Sequence, residues 1–261
     1  MVKILLLMVE DRYGENFMKV FGLVMTYNCE KIIERTIRDL PKNQLDEIIF
    51  TDDGSTDKTV DIIKKNGFKF IQNDHLGYGG NLLNGLKKAF SEGATHVVEL
   101  HGDGQYLKND FNDIKNNFRN NADLVLGDRF YDIKKTFKSG MPFHIFIGNI
   151  FLSFFARLGL GFHLNDFFPG YRGYSKNFFD LIQKYKLSNG YQFSFEIIAI
   201  SKLSNLKIES VPTECNYVDS KQTAPLWYII PCLYNLFLRS IQFRLAKIGK
   251  KYSVFKSKNC V

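Results

Sequence analysis

The chain has 261 residues, of which 45% are hydrophobic, 15% aromatic and 24% charged. A chain of this length and composition can bury a large core, which excludes disordered and fibrous proteins and favours one large domain, or one domain with an appendage. Lysine and arginine outnumber acidic residues by 35 to 27, a formal net charge of +8, which favours an anionic partner: phosphate, nucleic acid or an acidic membrane surface.

The first nineteen residues do not have the pattern of a signal peptide. Residues 2–9 are apolar except for Lys3, but Glu10, Asp11 and Arg12 follow at once, with no small-residue cleavage site. Met18 stands just before the first predicted strand. We therefore interpret residues 1–19 as an N-terminal extension or as the result of a start site assigned too early. The competing interpretation is that they form an additional strand.

Residues 20–127 alternate between strand-like and helix-like segments. Strands are predicted at 20–25, 47–51, 68–72, 95–100 and 124–127, and helices at 30–40, 56–65, 80–90 and 109–118. This alternation predicts an α/β fold with βαβ units, right-handed crossovers and a single, mostly parallel sheet. In such sheets ligands bind at the carboxyl ends of the strands.

Acidic residues follow the second predicted strand, in the segment TDDGSTDKT (51–59). A turn and a helix N-cap account for residues 54–57. They do not account for Asp52 and Asp53, because adjacent like charges repel. These two carboxylates are predicted to accept hydrogen bonds from a base or from ribose hydroxyls.

Two further segments follow the third and fourth strands. Glycines 77, 79 and 80 precede a helix and could let backbone N–H groups approach an anion, although such a turn is about as often a plain loop. In HGDGQY (101–106), Asp103 and Gln105 offer oxygen ligands that suit Mg²⁺ or Mn²⁺. Taken alone, that segment is more often a turn than a metal site.

Beyond about residue 135 the segments become long, aromatic-rich and helical, with one predicted strand at 207–211. The apolar runs 143–156 and 226–238 fall short of the ~18–20 residues that span a bilayer. They fit helices lying in a membrane interface and, about equally well, buried core helices. The last helix carries basic residues that could contact an anionic membrane leaflet, at positions 239, 244, 247, 250 and 251. Two other interpretations of this helix remain open: its basic end is simply solvated, or the helix packs against a partner subunit.

Seven segments occur together in an order that resembles family-two glycosyltransferases of GT-A fold. They are TYN (26–28), TDDGSTDKT (51–59), GYGGNLLNGLKKA (77–89), HGDGQY (101–106), GDRF (127–130), GMPFHIFIGN (140–149) and DFFPGYRGY (166–174). The chain most resembles the branch containing dolichyl-phosphate mannosyltransferase and polyprenyl-phosphate glucosyltransferases. The resemblance covers about residues 20–220. It implies three segments: an extension (1–19), a glycosyltransferase domain (20–224), and a C-terminal amphipathic basic helix and tail (225–261).

The resemblance also implies the site residues. Nucleotide contacts are implied for Thr26, Tyr27, Asn28, Asp52, Asp53, Gly79, Gly80 and Asn81. Asp103 and Gln105 match the metal-binding positions, Arg129 the arginine near the donor phosphates, Asp166 the base or organiser of the acceptor, and Arg172 an acceptor-phosphate arginine. Two positions depart from the family pattern: Cys29 stands where an acid usually follows Asn, and His101 replaces the first acid of the DxD-type motif.

The implied activity is an inverting transfer of a hexose from UDP- or GDP-hexose, with a divalent metal, Mg²⁺ or Mn²⁺, as cofactor. The acceptor is a polyprenyl phosphate, presented to a protein peripheral at the cytoplasmic membrane face. The alternatives are a transferase that uses a saccharide hydroxyl as acceptor, and a non-catalytic protein that binds a nucleotide sugar or a lipid.

No G-x-G-x-x-G follows the first strand, which disfavours a dehydrogenase, and no nucleic-acid-binding module is recognisable. Four cysteines without ligand spacing favour reduced thiols in the cytosol over a zinc site.

Overall fold

The computed structural model describes residues 18–107, 109–217 and 229–250. The predictions for residues 1–17, 218–228 and 251–261 lie outside the described residues.

Within the described ranges, seven strands form one sheet in the order β3-β2-β1-β4-β6-β5-β7. The strands are β1 (Val20–Thr26), β2 (Glu47–Asp52), β3 (Lys69–Gln72), β4 (His96–His101), β5 (Leu124–Asp128), β6 (Arg172–Ser175) and β7 (Ile208–Pro212). The helices are α1 (Ile33–Asp39), α2 (Thr59–Lys65), α3 (Tyr78–Ser91), α4 (Phe111–Arg119), α5 (Ile133–Lys138), α6 (Phe143–Leu160), α7 (Lys176–Ile182), α8 (Gln192–Leu203) and α9 (Ile229–Lys247).

The predicted mostly parallel sheet is confirmed. β1 pairs in parallel with β2 and β4, β2 with β3, and β5 with β7. The register aligns Thr26 with Asp52 and Met25 with His101, so the ends of three strands meet at one edge of the sheet. That edge carries the acidic and turn-forming segments singled out in the sequence.

One strand was not predicted. β6 runs antiparallel between β4 and β5, with Glu99 opposite Arg172. It has only four residues, and the first of them is a buried arginine. A short strand with a charged residue at its start lacks the apolar pattern by which strands are recognised.

Apolar cores cover both faces of the sheet, because successive strand residues point to opposite sides. Leu23 packs in the core formed with α3, α6, α7 and α8, and the next residue, Val24, packs in the core formed with α1, α2 and α4. Phe195 of α8 and Phe118 of α4 belong to these two cores, respectively.

Helices α6 and α9 pack together on the α8 side of the domain. A Cβ on Gly159 would lie 2.1 Å from Oγ of Ser240, so the close approach of the two helices requires glycine there. Arg244 donates to the carbonyls of Gly159 (3.2 Å) and Leu158 at the end of α6. α9 is therefore fastened to α6 by packing and by hydrogen bonds.

α6 combines the two interpretations left open by its sequence. Ser153, Ala156, Gly159 and Leu160 are buried, while most of its aromatic side chains are exposed. With 18 residues and a mean hydropathy of 1.5, it is the one helix of the described residues that is long and apolar enough to cross a membrane by length and composition. The apolar run 143–156 is shorter than the helix because Arg157 ends it.

Candidate functional site

A cavity of about 770 Å³ opens at the carboxyl ends of β1, β2 and β4. Its volume lies in the range of small-molecule binding sites. The residues that line it include Tyr27, Asn28, Cys29, Asp53, Tyr78, Asn81, His101 and Asp103. The cavity therefore joins most of the segments that the sequence placed at strand ends.

The two adjacent carboxylates have different surroundings. Asp52 is fully buried and accepts hydrogen bonds from the Oγ1 of Thr26 (2.9 Å) and from the backbone N–H groups of Gly54 (3.1 Å) and Ser55 (2.7 Å). The Ser55 hydroxyl donates to it as well, at 2.6 Å. Asp52 thus organises the turn after β2. Thr26, which also lines the cavity, donates its hydroxyl to Asp52.

Asp53 lines the cavity and also supports the loop before α3. Its carboxylate accepts the N–H groups of Leu76 (2.7 Å) and Gly77 (3.0 Å). Because Gly77 is the N-cap of α3, a carboxylate of the protein itself occupies the anion-favouring end of that helix.

The glycines of this loop are required by packing. A Cβ on Gly79 would lie 2.5 Å from the carbonyl of Ser188, and one on Gly80 would lie 2.7 Å from Cβ of Leu76. Asn81 accepts from the hydroxyl of Thr51 (2.6 Å). These contacts place the three predicted nucleotide-binding residues in the framework behind the cavity, although Asn81 also lines it.

Tyr27 and Asn28 form the rim of the cavity. The Tyr27 ring is 44% exposed and stacks on His75, with ring centroids 4.8 Å apart. Asn28 has φ +48° and accepts from the N–H of Thr56 (2.9 Å), which joins the loops after β1 and β2. The neighbouring Cys29 is half-buried, and burial raises the pKa of its thiol to about 12, so it carries no charge in place of the missing acid.

Asp103 lies in the turn after β4, where its carboxylate accepts the N–H of Gln105 (3.1 Å) and lines the cavity. The carbonyl of Gln105 accepts from the N–H of Asn216. Within the described ranges, no group of three or more His, Cys, Asp or Glu side chains could hold a metal ion. A divalent ion here would need further ligands from a substrate.

Below the cavity floor lies a buried polar network around Glu99 of β4. Glu99 accepts from the hydroxyls of Tyr78 (2.7 Å) and Tyr174 (2.5 Å), lies 3.6 Å from Nη1 of Arg172, and lies 3.0 Å from Nε2 of His101. Burial opposes ionisation of Glu99, but Arg172 and His101 outweigh it and hold the pKa of this carboxyl below its usual value.

Arg172 belongs to this network. It is 1% exposed and donates to the hydroxyls of Tyr78 and Ser194. The arginine predicted to take an acceptor phosphate therefore lies inside the domain, paired with Glu99 across β4 and β6.

Arg129 and Asp166 form a second buried cluster. Nε of Arg129 donates to Oδ2 of Asp166 (2.6 Å) and Nη2 to Oδ1 (3.0 Å), and Nη1 donates to the hydroxyl of Tyr217 (2.8 Å). Arg129 also donates to Oδ1 of Asn149 on α6 (3.1 Å). Despite burial, the charge of Asp166 holds the pKa of Arg129 well above its usual range.

Sequence reasoning missed Tyr78, Glu99 and Tyr217. Glu99 had a visible signal, because it is an acid within the otherwise apolar residues 97–100 of a buried strand. A buried acid needs partners, which in this fold are His101, Arg172 and two tyrosines. Tyr217 had no such signal, since only the fold brings it to Arg129.

Comparison with known proteins places the chain among glycosyltransferases. The model of the family described as Glycosyl transferase family 2 matches residues 23–182. The chain is 28% identical over 248 residues to a UDP-N-acetylglucosamine–dolichyl-phosphate N-acetylglucosaminyltransferase of Methanococcus voltae, covering 88% of this chain and 97% of that protein. It is 31% identical over 203 residues to an uncharacterized protein of Methanocaldococcus jannaschii, covering 77% and 83%, respectively.

Solved structures confirm the fold. Glucosyl-3-phosphoglycerate synthase from Mycobacterium tuberculosis, in complex with phosphoglyceric acid, matches with a TM-score of 0.59 at 17% identity, covering 92% of this chain and 84% of that chain. The same enzyme in complex with Mn²⁺, UDP and glucosyl-3-phosphoglycerate matches with a TM-score of 0.58 at 16% identity and the same coverage. The predicted GT-A fold is thereby confirmed.

Proposed function

The chain belongs to glycosyl transferase family 2, and from this premise we propose that it transfers a hexose-type sugar from a nucleotide diphosphate to a polyprenyl phosphate. N-acetylglucosamine is the first sugar to test, because a relative that covers 88% of this chain is named for transfer of that sugar to dolichyl phosphate. UDP is the first nucleotide to test for the same reason.

The cavity at the ends of β1, β2 and β4 is the proposed donor site. Tyr27 offers an exposed aromatic ring for stacking on a base, and Asp53 offers a carboxylate for ribose or base hydrogen bonds. Lys31 and Arg35 also line the cavity and supply positive charge for a diphosphate. Asp52, Gly79 and Gly80 support this site through the loops that they hold.

Asp103 fits a divalent metal ion bound together with the donor. A single carboxylate, waters and substrate phosphates form an ordinary shell for Mg²⁺ or Mn²⁺. The Asp103 carboxylate lines the cavity, and its position in a tight turn fixes it there. When bound, such an ion supplies positive charge that offsets the charge developing on the leaving diphosphate.

The pairing of Asp166 with Arg129 is the observation that carries the choice of acceptor. The Asp166 side chain is 0% exposed, and its oxygens accept from Arg129 and from the N–H of Phe168 (3.0 Å). A carboxylate bound in this way is a poor general base, and a saccharide hydroxyl would need one. A phosphate oxygen is already anionic and attacks without losing a proton, which favours a lipid phosphate.

The proposed reaction needs no proton transfer. An anionic oxygen of the acceptor phosphate forms a bond to the anomeric carbon while the bond from that carbon to the diphosphate oxygen breaks, with inversion. The residues of the chain position the two substrates and neutralise charge. Asp166 then fixes the orientation of Arg129 and of the loop that carries Phe168.

The exposed apolar face of α6 and α9 supports a peripheral position on a membrane. The exposed large apolar side chains of the two helices are Phe143, Ile147, Ile150, Phe151, Phe154, Phe155, Leu158, Ile230, Tyr234, Phe237, Leu238 and Ile241. Lys247 and Lys250 are exposed at the end of α9 and would meet anionic lipid headgroups. Arg239, by contrast, is engaged inside the domain, 2.9 Å from Glu196.

A second cavity links this face to the Arg129 cluster. It has a volume of about 140 Å³ and lies between α6, α8 and α9, with Leu152, Phe195 and Leu236 in its wall. Asn149 and Phe168, which both accept from Arg129, also line it. An aliphatic chain entering here would bring its phosphate end toward the Arg129–Asp166 pair. A nucleotide donor, a polyprenyl phosphate and the cytoplasmic leaflet are thus the proposed partners.

The test is a transfer assay with purified protein, Mg²⁺ or Mn²⁺, labelled UDP-N-acetylglucosamine, UDP-glucose or GDP-mannose, and polyprenyl phosphate. We expect label in the organic phase with one donor, and its loss in Asp103→Ala. In a matched reaction, soluble saccharide acceptors replace the polyprenyl phosphate. Label found only in the saccharide product would overturn the choice of acceptor, and donor binding without any transfer would overturn the reaction.

A further inference from the structure

Glu99 is a fully buried carboxylate that directs one histidine toward the donor cavity. Its Oε1 lies 3.0 Å from Nε2 of His101, two residues later on the same strand. The carboxylate is itself held by Tyr78, Tyr174 and Arg172, so it has little freedom to reorient.

The His101 ring is fixed on several sides. A Cβ on Gly170 would lie only 2.6 Å from Cε1 of His101, so the edge of the ring fits there because residue 170 is a glycine. Tyr78 and Tyr106 contact the ring edge-on, with centroids 6.4 and 5.6 Å away. The side chain remains 24% exposed, and it lines the donor cavity.

The two ring nitrogens have different surroundings. Nε2 faces Glu99, whereas Nδ1 has no hydrogen-bond partner among the described residues. Nδ1 is not one of the buried polar atoms that lack a partner. If Nε2 carries the proton donated to the Glu99 carboxylate, the lone pair of Nδ1 is available in the cavity. A carboxylate that fixes the tautomer of a histidine in this way recurs behind metal-binding histidines.

We infer that Nδ1 of His101 is a second protein ligand, beside Asp103, for the divalent ion of this enzyme, and that Glu99 is its positioning residue. The inference rests on the proposed function, since the donor diphosphate must supply further ligands. It assigns a role to the residue that replaces the first acid of the DxD-type motif. Two protein ligands are consistent with the absence of a larger metal-binding cluster among the described residues.

The ligand set predicts which ions are preferred. Imidazole nitrogen favours Mn²⁺, Co²⁺ and other transition metals over Mg²⁺, which prefers oxygen ligands. A site with one carboxylate and one neutral imidazole also carries one negative charge less than a site with two carboxylates. We therefore expect the wild-type protein to bind Mn²⁺ more tightly than Mg²⁺, and His101→Asp to shift the preference toward Mg²⁺ by about tenfold or more.

A competing arrangement makes His101 an imidazolium ion paired with Glu99. In that case its Nδ1–H would donate to the diphosphate, and no metal–nitrogen bond would form. The two arrangements differ in one directly measurable quantity, the coupling between the unpaired electrons of Mn²⁺ and a nitrogen nucleus.

The test is pulsed electron paramagnetic resonance of Mn²⁺ bound to the purified protein with UDP, repeated on protein carrying ¹⁵N-histidine. We expect a directly bound nitrogen whose coupling changes on ¹⁵N labelling and disappears in His101→Asp. His75→Gln is the matched control, because His75 lies at the cavity rim on Tyr27 and its removal should leave the coupling in place. Glu99→Gln should weaken Mn²⁺ binding about ten- to a hundredfold, with the bound nitrogen retained.

The outcomes separate this inference from the proposed function. Mn²⁺ that binds with UDP and supports transfer, but shows no histidine nitrogen, overturns the assignment of His101 and leaves the transferase activity intact. Failure to bind Mn²⁺ while transfer proceeds overturns the metal site as a whole. Absence of transfer from every donor overturns the proposed function instead. The wild-type spectrum decides the first point, so a variant that fails to fold does not prevent a result.

Discussion

Arg129 and Asp166 face each other through two parallel hydrogen bonds, Nε to Oδ2 at 2.6 Å and Nη2 to Oδ1 at 3.0 Å, inside the domain. The two residues come from different segments, 37 positions apart. Asn149 of α6 and Tyr217 also bind the guanidinium group, so this pair connects the sheet, the apolar helix and the loop after β7. We therefore expect loss of this pair to lower the stability of the domain as well as its activity.

We predict that Asp166→Asn destabilises the protein by about 3 to 5 kcal/mol, because it leaves the buried Arg129 charge without its partner. Denaturant unfolding of both proteins measures the change. Asp180→Asn is the matched control: it removes a carboxylate from the exposed pair with Lys176, and we expect a loss of less than about 1 kcal/mol. Equal losses in the two variants would contradict the structural role of the Arg129–Asp166 pair.

The two adjacent acids after β2 should respond differently to substitution. Asp52→Ala removes an acceptor of four hydrogen bonds from a fully buried position, so we expect a stability loss of at least about 1 to 3 kcal/mol. Asp53→Ala removes a carboxylate that lines the cavity, so UDP affinity should fall by about tenfold. Calorimetric UDP titration and thermal unfolding of both variants measure these effects. A larger loss of affinity in folded Asp52→Ala than in Asp53→Ala would contradict this division.

The exposed face of α6 should control membrane binding. Burying one large apolar side chain is worth about 1.5 to 3 kcal/mol, so Phe154→Glu should weaken binding to anionic phospholipid vesicles by about tenfold or more. Vesicle co-sedimentation measures this. Asn112→Glu adds the same charge to α4, on the opposite face of the sheet, and serves as control. Equal effects of the two substitutions would indicate that charge, rather than the α6 face, determines binding.

His96 should make stability depend on pH below neutrality. Burial lowers the pKa of His96 in the folded protein from 6.5 to about 4, and its ring packs on Phe118 with centroids 4.2 Å apart. Between these two values the unfolded chain binds more protons, so the free energy of unfolding is highest above pH 6.5 and falls as the pH drops toward 4. The expected loss from this group is about 2 to 3 kcal/mol.

Urea unfolding at a series of pH values tests this prediction. His96→Gln should flatten the dependence in that window, while His163→Gln, at an exposed position, should leave it unchanged. A slope that survives in His96→Gln would assign the pH dependence to another group.

The strands of the parallel half of the sheet were predicted closely because each consists of a buried apolar run followed by a turn. The helix predicted at 30–40 begins three residues later, at Ile33, because residues 30–32 form a turn in which Cys29 accepts from the N–H groups of Ile32 and Ile33. β6 was missed because its arginine is stabilised by Glu99 on the neighbouring strand. Such a partner, 73 positions earlier in the chain, is not visible in a local pattern.

The sequence by itself determined the α/β class, the order of the motifs and the edge of the sheet at which they meet, because hydrophobic periodicity and turn residues act locally. Only the tertiary structure decided how the polar side chains are divided. Asp53 and Asp103 face the cavity, Asp52 holds a turn, and Arg172 and Asp166 are buried with partners. Hydrogen bonds and ion pairs between distant segments make that choice, since a buried charge is stable only beside the group that neutralises it.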